Sequence, residues 1–219
     1  MKHLLLPLLS VVLTANFAAA QSPGSTRIQG DVTGLAGNNL SIKSLAGEML
    51  TLKLADPVRI LTASPTDLTA IHPNAYVAVT AVPQTDGSLL ASRINIFPES
   101  MRGVGEGHRP MAALPGNTMT NATVSNVAAA DRPAGNTMTN ATVTRIAGPS
   151  QAGKLRVHYP GGEKQVAVPP GLSVTLLEAG DRAMLVPGAH VTVTATRADD
   201  GTMTAASITA GKNGAVPPP

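Results

Sequence analysis

The residues best suited to bind a metal ion lie in and near a glycine-rich loop. Glu106 and His108 are two positions apart in MRGVGEGHRP, at residues 101–110. They could offer a carboxylate oxygen and an imidazole nitrogen to a metal, with His158 as a third candidate ligand. Their spacing matches no HxH or HExxH motif, and a solvated loop is the alternative interpretation. Metal binding is therefore the second hypothesis for this chain.

Other catalytic chemistries find no motif. The chain contains no Cys, so thiolate metal sites, cysteine nucleophiles and disulfides are excluded. There is no GxSxG nucleophile elbow, and GVGEG at residues 103–107 lacks the Lys-Ser/Thr ending of a phosphate loop. The methionines are scattered, without the clustering that suits Cu(I). We predict no catalytic residues, no cofactor and no enzymatic activity.

The composition argues against a nucleic-acid partner. Lys and Arg number 16 against 13 Asp and Glu, a formal net charge of +3. Outside the first 20 residues the aromatic side chains are Tyr76, Phe97 and Tyr159. Sites for single-stranded nucleic acid combine a basic groove with several stacking aromatics. The expected partner is instead a protein or a polymer of the cell envelope, of unknown identity.

The elements that position these residues come from a unit that the chain contains twice. Residues 67–94 read DLTAIHPNAYVAVTAVPQTDGSLLASRI, and residues 181–208 read DRAMLVPGAHVTVTATRADDGTMTAASI. The two segments align without a gap at a constant offset of 114. Such self-similarity indicates one small domain present as two divergent copies.

Each copy of the unit is predicted to fold as a short helical turn followed by a hairpin. Apolar residues alternate with small or polar ones on both sides of Asp86-Gly87 and of Asp200-Gly201, which is typical of half-buried strands joined by a tight turn. Asp67 and Asp181 stand at plausible N-cap positions ahead of a single helical turn. Strands dominate the rest of the mature chain as well.

The predicted fold class is all-β, with two small antiparallel OB-like β-barrel domains that arise from the internal duplication, each with one short helical turn. A small sandwich is the alternative. The predicted divisions are a signal peptide at 1–20, an N-terminal leader at 21–25, β-barrel copy A at 26–97, a Gly/Pro/Ala-rich linker at 98–135, β-barrel copy B at 136–212 and a disordered tail at 213–219.

The first 20 residues have the organisation of an export signal. Lys2 is followed by an apolar run from Leu4 to Leu13, and Ala18-Ala19-Ala20 fits the small-residue cleavage rule. A buried N-terminal helix is the alternative. We expect cleavage after Ala20 and a periplasmic or secreted location. No later stretch is long and apolar enough to span a membrane, so no integral membrane segment is expected after cleavage.

A second, shorter repeat lies between the two copies. GNTMTNATV occurs at residues 116–124 and again, letter for letter, at 135–143. Only one of these segments can supply the first strand of copy B. The later one leads directly into Thr144-Arg145-Ile146, so we predict that it forms the strand and that the earlier one is a spare segment of the linker.

Five segments carry a resemblance to a known family. They are MRGVGEGHRP at 101–110, the two TMTNATV segments, GGEKQVAVPPG at 161–171 and LVPGAHVTVTA at 185–195. With them, the duplicated unit resembles an uncharacterised family of exported bacterial domains, a domain of unknown function. The resemblance implies a small OB-like β-barrel and an envelope location. It implies no activity and transfers no catalytic residue.

The function predicted from these features is that of a non-catalytic exported cell-envelope protein. It would act as a binding or structural module through protein or polymer contacts. The alternative is a periplasmic metal-handling accessory protein that uses Glu106, His108 and His158. The oligomeric state is not indicated by the sequence.

Overall fold

The structure, a computed structural model, describes residues 24–111, 114–129 and 153–218. The described chain is all-β, as predicted, and its helical elements are short 3₁₀ turns. The strands are β1 (Ser25–Ala36), β2 (Asn39–Ser44), β3 (Met49–Thr66), β4 (Tyr76–Pro83), β5 (Leu89–Phe97), β6 (Gly107–Pro110), β7 (Thr118–Ala129), β8 (Gly153–Tyr159), β9 (Gly162–Val168), β10 (Val174–Ala179), β11 (His190–Arg197) and β12 (Met203–Gly211). The 3₁₀ turns are Leu68–Ala70, Glu99–Met101, Arg182–Met184 and Lys212–Gly214. The predicted signal peptide lies outside the described residues.

Five strands close into a first barrel, here called barrel I. Antiparallel pairings join β11 to β1, β1 to β2, β2 to β3 and β11 to β12. A parallel pairing of β3 with β12 closes the ring. The ring therefore contains one parallel seam, which the prediction of antiparallel barrels did not include. The resulting five-stranded closed barrel is of the OB-like kind that was predicted.

A second ring, barrel II, repeats the same order. Antiparallel pairings join β4 to β7, β7 to β8, β8 to β9 and β4 to β5. A short parallel pairing of β5 with β9 closes it. The short strand β6 adds to the free part of β7, beside the ring.

Each barrel takes its final hairpin from the other half of the chain. Barrel I combines β1, β2 and β3 with the hairpin β11–β12, and barrel II combines β7, β8 and β9 with the hairpin β4–β5. The predicted assignment of one barrel to residues 26–97 and another to residues 136–212 therefore needs correction. Strand patterns fix where strands begin and end, but two equivalent hairpins fit either barrel, so the sequence did not reveal the exchange.

The chain crosses between the barrels on two antiparallel strands. The second half of β3 pairs with β10, and Ala63 lies opposite Leu177. These two residues are 114 positions apart, so a local twofold axis passes between them. The pairings on the two sides of the axis are equivalent, Ile60 with Ile208 and Ile94 with Val174. We call β10 and residues 59–66 of β3 the crossover strands.

The two hydrophobic cores mix side chains from both halves of the chain. In barrel I, Leu40 and Leu52 pack with Val193 and Ile208. In barrel II the hairpin residues Val79 and Ile94 pack with Leu155, Val157 and Val166. Full burial of one such side chain is worth roughly 1.5–3 kcal/mol. Because every barrel draws on both halves, neither half contains a complete core of the observed kind.

The predicted caps and hairpin turns are confirmed. Asp67 accepts a hydrogen bond from the backbone N–H two residues later at 2.7 Å, and Asp181 does the same at 2.8 Å. Gly87 and Gly201 have φ angles of 81° and 83°, the left-handed region that a glycine adopts without steric cost. These local features follow from residue types alone, which explains why both copies keep them.

The prediction for the short repeat is wrong. The segment at residues 118–124 belongs to β7, which pairs with β4 and β8 and forms the first strand of barrel II. The predicted linker 98–135 thus contains β6 and β7, and the second GNTMTNATV segment lies outside the described residues. The two segments have identical side chains, so only their neighbouring residues could distinguish them, and the continuation into Thr144 pointed to the wrong one.

The prediction of a disordered tail is also wrong for residues 213–218. The side-chain amide of Gln29 donates to the carbonyl oxygen of Pro217 at 3.3 Å, and the hydroxyl of Thr192 donates to the carbonyl oxygen of Pro218 at 3.0 Å. Proline lacks the N–H that a strand needs, but its carbonyl accepts hydrogen bonds normally. The tail therefore lies against β1 and β11 of barrel I.

Candidate binding site

The predicted metal ligand His108 has other partners in the structure. It lies on β6, and its Nδ1 is 2.8 Å from the hydroxyl oxygen of Thr120 on β7. Its ring stacks on that of Tyr159, with 6.5 Å between centroids. Burial lowers the pKa of His108, and the positive charge of Lys164 lowers it further. Both effects favour the neutral form of the imidazole.

The other two predicted ligands occupy different surroundings. Glu106 precedes β6 in the glycine-rich loop, and His158 is an exposed residue of β8 that lies opposite Thr123 of β7. Within the described ranges, no three His, Cys, Asp or Glu side chains come together in a way that could hold a metal ion. The metal-binding alternative stays a prediction.

A cavity of about 410 Å³ lies between the two barrels. Its lining includes Leu61 and Leu177 of the crossover strands and the outer faces of the two exchanged hairpins. The period of two along each strand explains the arrangement: Val79 and Val193 point into the barrels, so the neighbouring Thr80 and Thr194 point toward the cavity. We call this cavity the inter-barrel cleft.

The wall of the cleft formed by barrel II contains a row of four residues on four adjacent strands. Arg109 of β6 lies opposite Met119 of β7, which lies opposite Thr80 of β4, which in turn lies opposite Arg93 of β5. All four line the cleft. Adjacent strands are about 4.8 Å apart, so the backbones of the two arginines are about 14 Å apart along the row.

Barrel I supplies the opposite wall with a row of the same kind. Arg27 of β1 lies opposite Thr194 of β11, which lies opposite Ser207 of β12, which in turn lies opposite Arg59 of β3. These four residues also line the cleft. Both walls therefore have an arginine at each end and uncharged side chains between.

The cleft has a strongly positive lining. It includes the four arginines of the two rows, and no Asp, Glu or His among the described residues. In the described part of the chain, Arg59 and Arg93 have no ion pair and no side-chain hydrogen bond, while Arg109 donates to the carbonyl oxygen of Gly105 at 2.8 Å. Guanidinium groups stay protonated in proteins. Positive charges concentrated in a cleft raise the local concentration of anions.

A second row in the wall of barrel II carries two buried amides. Asn121 of β7 lies opposite Ala78 of β4, which lies opposite Asn95 of β5. The Oδ1 atoms of both asparagines are buried and have no hydrogen-bond partner among the described residues. A buried polar atom without a partner costs about 1–3 kcal/mol. A molecule that donates hydrogen bonds in the cleft would remove this cost.

The equivalent row of barrel I is satisfied by the tail. Gln29 lies opposite Thr192, which lies opposite Thr209. Gln29 donates to the Thr192 hydroxyl at 3.3 Å as well as to the tail, and Pro218 of the tail itself lines the cleft. Within the described residues, the tail thus accepts hydrogen bonds from the polar row of barrel I, whereas the two asparagine oxygens of barrel II have no partner.

No sequence motif marks the cleft residues. Arg27, Arg59, Arg93 and Arg109 lie on four different strands, far apart in the chain, and form no motif. The available signal was the position of Arg93 within the repeated hairpin, on the polar side of an alternating strand. That signal places an arginine on an outer face but does not say what the face meets.

The fold and the cleft define an all-β protein with two interlinked OB-like barrels. Residues 59–95 and 173–209 each match the model of the family DUF5666, described as a domain of unknown function. The two matched segments are related by the offset of 114. One begins in the crossover part of β3 and the other one residue before β10, and each ends within the last strand of a hairpin. The resemblance drawn from the sequence is confirmed on this point.

No curated protein matches the chain, and no solved structure matches it. Among the described residues, none of the helical elements has the length and apolar character needed to cross a bilayer.

Proposed function

We propose that the protein is a non-catalytic exported cell-envelope protein that acts as a binding module and holds a polymer in the inter-barrel cleft. The observation that carries this proposal is the cleft itself, a 410 Å³ cavity with a polar and arginine-bearing row in each wall. Both rows cross four strands, so a ligand that follows them is extended. A polymer fits that shape better than a compact metabolite.

Two further observations support the proposal. General acid–base catalysis needs a titratable side chain near neutral pH, and the described lining of the cleft contains no Asp, Glu or His. The export pattern of residues 1–20 favours a ligand met outside the cytoplasm. A polymer of the cell envelope can be bound without acid–base chemistry, and the protein would meet it outside the cytoplasm.

The proposal is tested by blocking the cleft. Thr194 lies in the middle of the barrel I row, so Thr194→Phe places a ring in the cavity. Thr51→Phe is the matched control, because Thr51 is an exposed β3 residue outside the cleft lining. Thermal unfolding first establishes that both variants fold.

Binding is then measured by calorimetric titration against a panel of neutral and acidic envelope polysaccharides. We expect at least one polymer to bind the parent protein, Thr51→Phe to retain its affinity, and Thr194→Phe to lose about tenfold or more, equivalent to about 1.4 kcal/mol. The absence of binding to every polymer, or unchanged binding by Thr194→Phe, would contradict the proposal.

A further inference from the structure

We infer that the ligand of the inter-barrel cleft is an acidic polysaccharide, bound through its carboxylate or sulfate groups by the arginine rows and through its hydroxyl groups by Asn95 and Asn121. This inference rests on the proposed function and adds the chemistry of the ligand. It depends on three independent features of the cleft: its charge, its unpaired amides and its small aromatic content.

The charge of the cleft selects an anion. Each wall presents two guanidinium groups, which match planar or tetrahedral oxyanions with paired N–H donors. Glu106 of the adjoining loop is not part of the lining, and its charge acts on Tyr76 and Arg102. A neutral polymer would leave Arg59 and Arg93 without counter-charges, whereas an acidic polymer can pair with one of them in each wall.

The unpaired amides select a ligand that donates hydrogen bonds. Asn95 and Asn121 both line the cleft, and the last side-chain torsion of asparagine is broad, so either amide can turn its oxygen toward a ligand. A sugar hydroxyl donates to such an oxygen and accepts from the amide N–H₂. Polyphosphate carries the charge but has no hydroxyl groups to donate along its chain.

The aromatic content of the cleft argues against single-stranded nucleic acid. Stacking of bases on aromatic rings supplies much of the affinity in such sites. Phe97 is the one aromatic residue in the described lining of the cleft, and its ring already packs against Tyr76 with 5.6 Å between centroids. An acidic polysaccharide needs no stacking platform, so it fits all three features.

The experiment titrates the full chain with four probes, which are oligogalacturonate for carboxylates, heparin oligosaccharides for sulfates, polyphosphate, and neutral dextran. We expect one or both acidic polysaccharides to bind, and polyphosphate to bind at least tenfold more weakly. Dextran should not bind. Raising the salt concentration from 50 to 200 mM should weaken the binding several-fold, because screening reduces attraction between exposed charges.

Two double variants that remove the same number of positive charges test whether the ligand binds in the cleft. Arg59→Gln with Arg93→Gln should lower the affinity about 100-fold, since each lost charged hydrogen bond costs roughly tenfold. The control is Lys43→Gln with Lys53→Gln, which removes the same charge from residues outside the cleft lining and should change the affinity less than about twofold. Asn95→Ala with Asn121→Ala should weaken polysaccharide binding about tenfold and leave the weaker polyphosphate binding unchanged.

The outcomes separate this inference from the proposed function. If dextran binds as well as the acidic polymers and Thr194→Phe abolishes that binding, the cleft binds a polymer but the inference of acidic chemistry is wrong. Polyphosphate binding as tight as that of the polysaccharides would overturn the role of the hydroxyl groups. Equal losses of affinity in the arginine and lysine variants would show nonspecific charge attraction and contradict binding in the cleft. No binding to any probe would contradict both proposals.

Discussion

The two walls of the cleft share three pairs of equivalent strands, β1 and β7, β11 and β4, and β12 and β5, but place their charges differently. The row of barrel I continues onto β3, whereas the row of barrel II continues onto β6. Arg93 of barrel II is the equivalent of Ser207 in barrel I, and Arg59 of barrel I is the equivalent of Ser173, each at the offset of 114. Both of these arginines therefore belong to the first copy of the repeat, and the second copy has serine at both positions. The two walls each contain two arginines, at positions that the duplication does not relate.

The walls also differ in how their buried polar groups are satisfied. In barrel I the tail accepts hydrogen bonds from Gln29 and Thr192. In barrel II, Asn121 is the equivalent of Gln29 and Asn95 is the equivalent of Thr209, and the side-chain oxygens of both asparagines have no partner in the described chain. A site that was needed only for folding would gain stability from satisfying both rows. The difference therefore favours a ligand on the barrel II side.

We expect the largest loss of stability when a buried side chain is shortened at equivalent positions of the two cores. Ile94 and Ile208 are fully buried, one in each barrel. Substitution of either by Ala should lower the free energy of unfolding by about 2–5 kcal/mol. Because both halves contribute to both cores, each variant should shift the same single transition in a denaturant titration. Two separate transitions, with only one of them shifted, would show that the barrels unfold independently.

The next effect concerns the crossover, where the two copies also differ. Gly180 is equivalent to Thr66, and a Cβ at residue 180 would lie 3.1 Å from the Cγ2 of Thr62 and 3.2 Å from the backbone carbon of Leu61. Gly180→Val should therefore cost about 1–3 kcal/mol through overpacking. Thr66→Val, which keeps the side-chain shape, is the control for the equivalent position. Equal unfolding midpoints for the two variants would contradict the tight approach at Gly180.

A smaller effect is expected from displacing the tail. A Cβ at Gly211 would overlap the carbonyl oxygen of Ala215, so Gly211→Ala cannot keep the observed path. Loss of the tail hydrogen bonds made by Gln29 and Thr192 should cost about 1–2 kcal/mol. The side-chain amide resonance of Gln29 should shift in NMR spectra. Gly24→Ala, with open space around its Cβ, is the control, and an unchanged Gln29 resonance in Gly211→Ala would contradict the fixed tail.

The smallest effect is a pH dependence limited to barrel II. The pKa of His108 is lowered from its ordinary value of 6.5, so at lower pH the unfolded chain binds a proton that the folded chain resists. This contribution to stability is present above pH 6.5 and is lost as the pH falls toward the folded pKa. His108→Gln should flatten the decline of the unfolding midpoint below pH 6.5 relative to the parent protein. A slope in His108→Gln equal to that of the parent would contradict the role of His108.

Local features of the fold could be predicted from the sequence because short-range chemistry decides them. The caps at Asp67 and Asp181 and the turns at Gly87 and Gly201 depend on residues within a few positions of one another. Alternation of apolar residues likewise located the hairpin strands. The duplication then gave two similar barrels with an OB-like strand order.

The exchange of hairpins and the cleft could not be predicted in the same way. The β4–β5 hairpin presents the same alternation to its own half and to the other half, so its pattern is equally compatible with both. The arginine rows arise from contacts between strands as distant as Arg27 and Thr194, which no local spacing encodes. The predicted candidates Glu106 and His108 lie in and beside the adjoining loop, and neither of them lines the cleft.

The exchanged hairpins give the duplication a role in assembly. A single copy of the repeat that kept this arrangement would need a second chain to close its barrel, and closure would then depend on protein concentration. Here both copies lie on one polypeptide, so each hairpin meets its barrel at an effective concentration that short connections raise to about the millimolar range. The single polypeptide can therefore complete both barrels at any protein concentration, because its two halves cannot dissociate from each other.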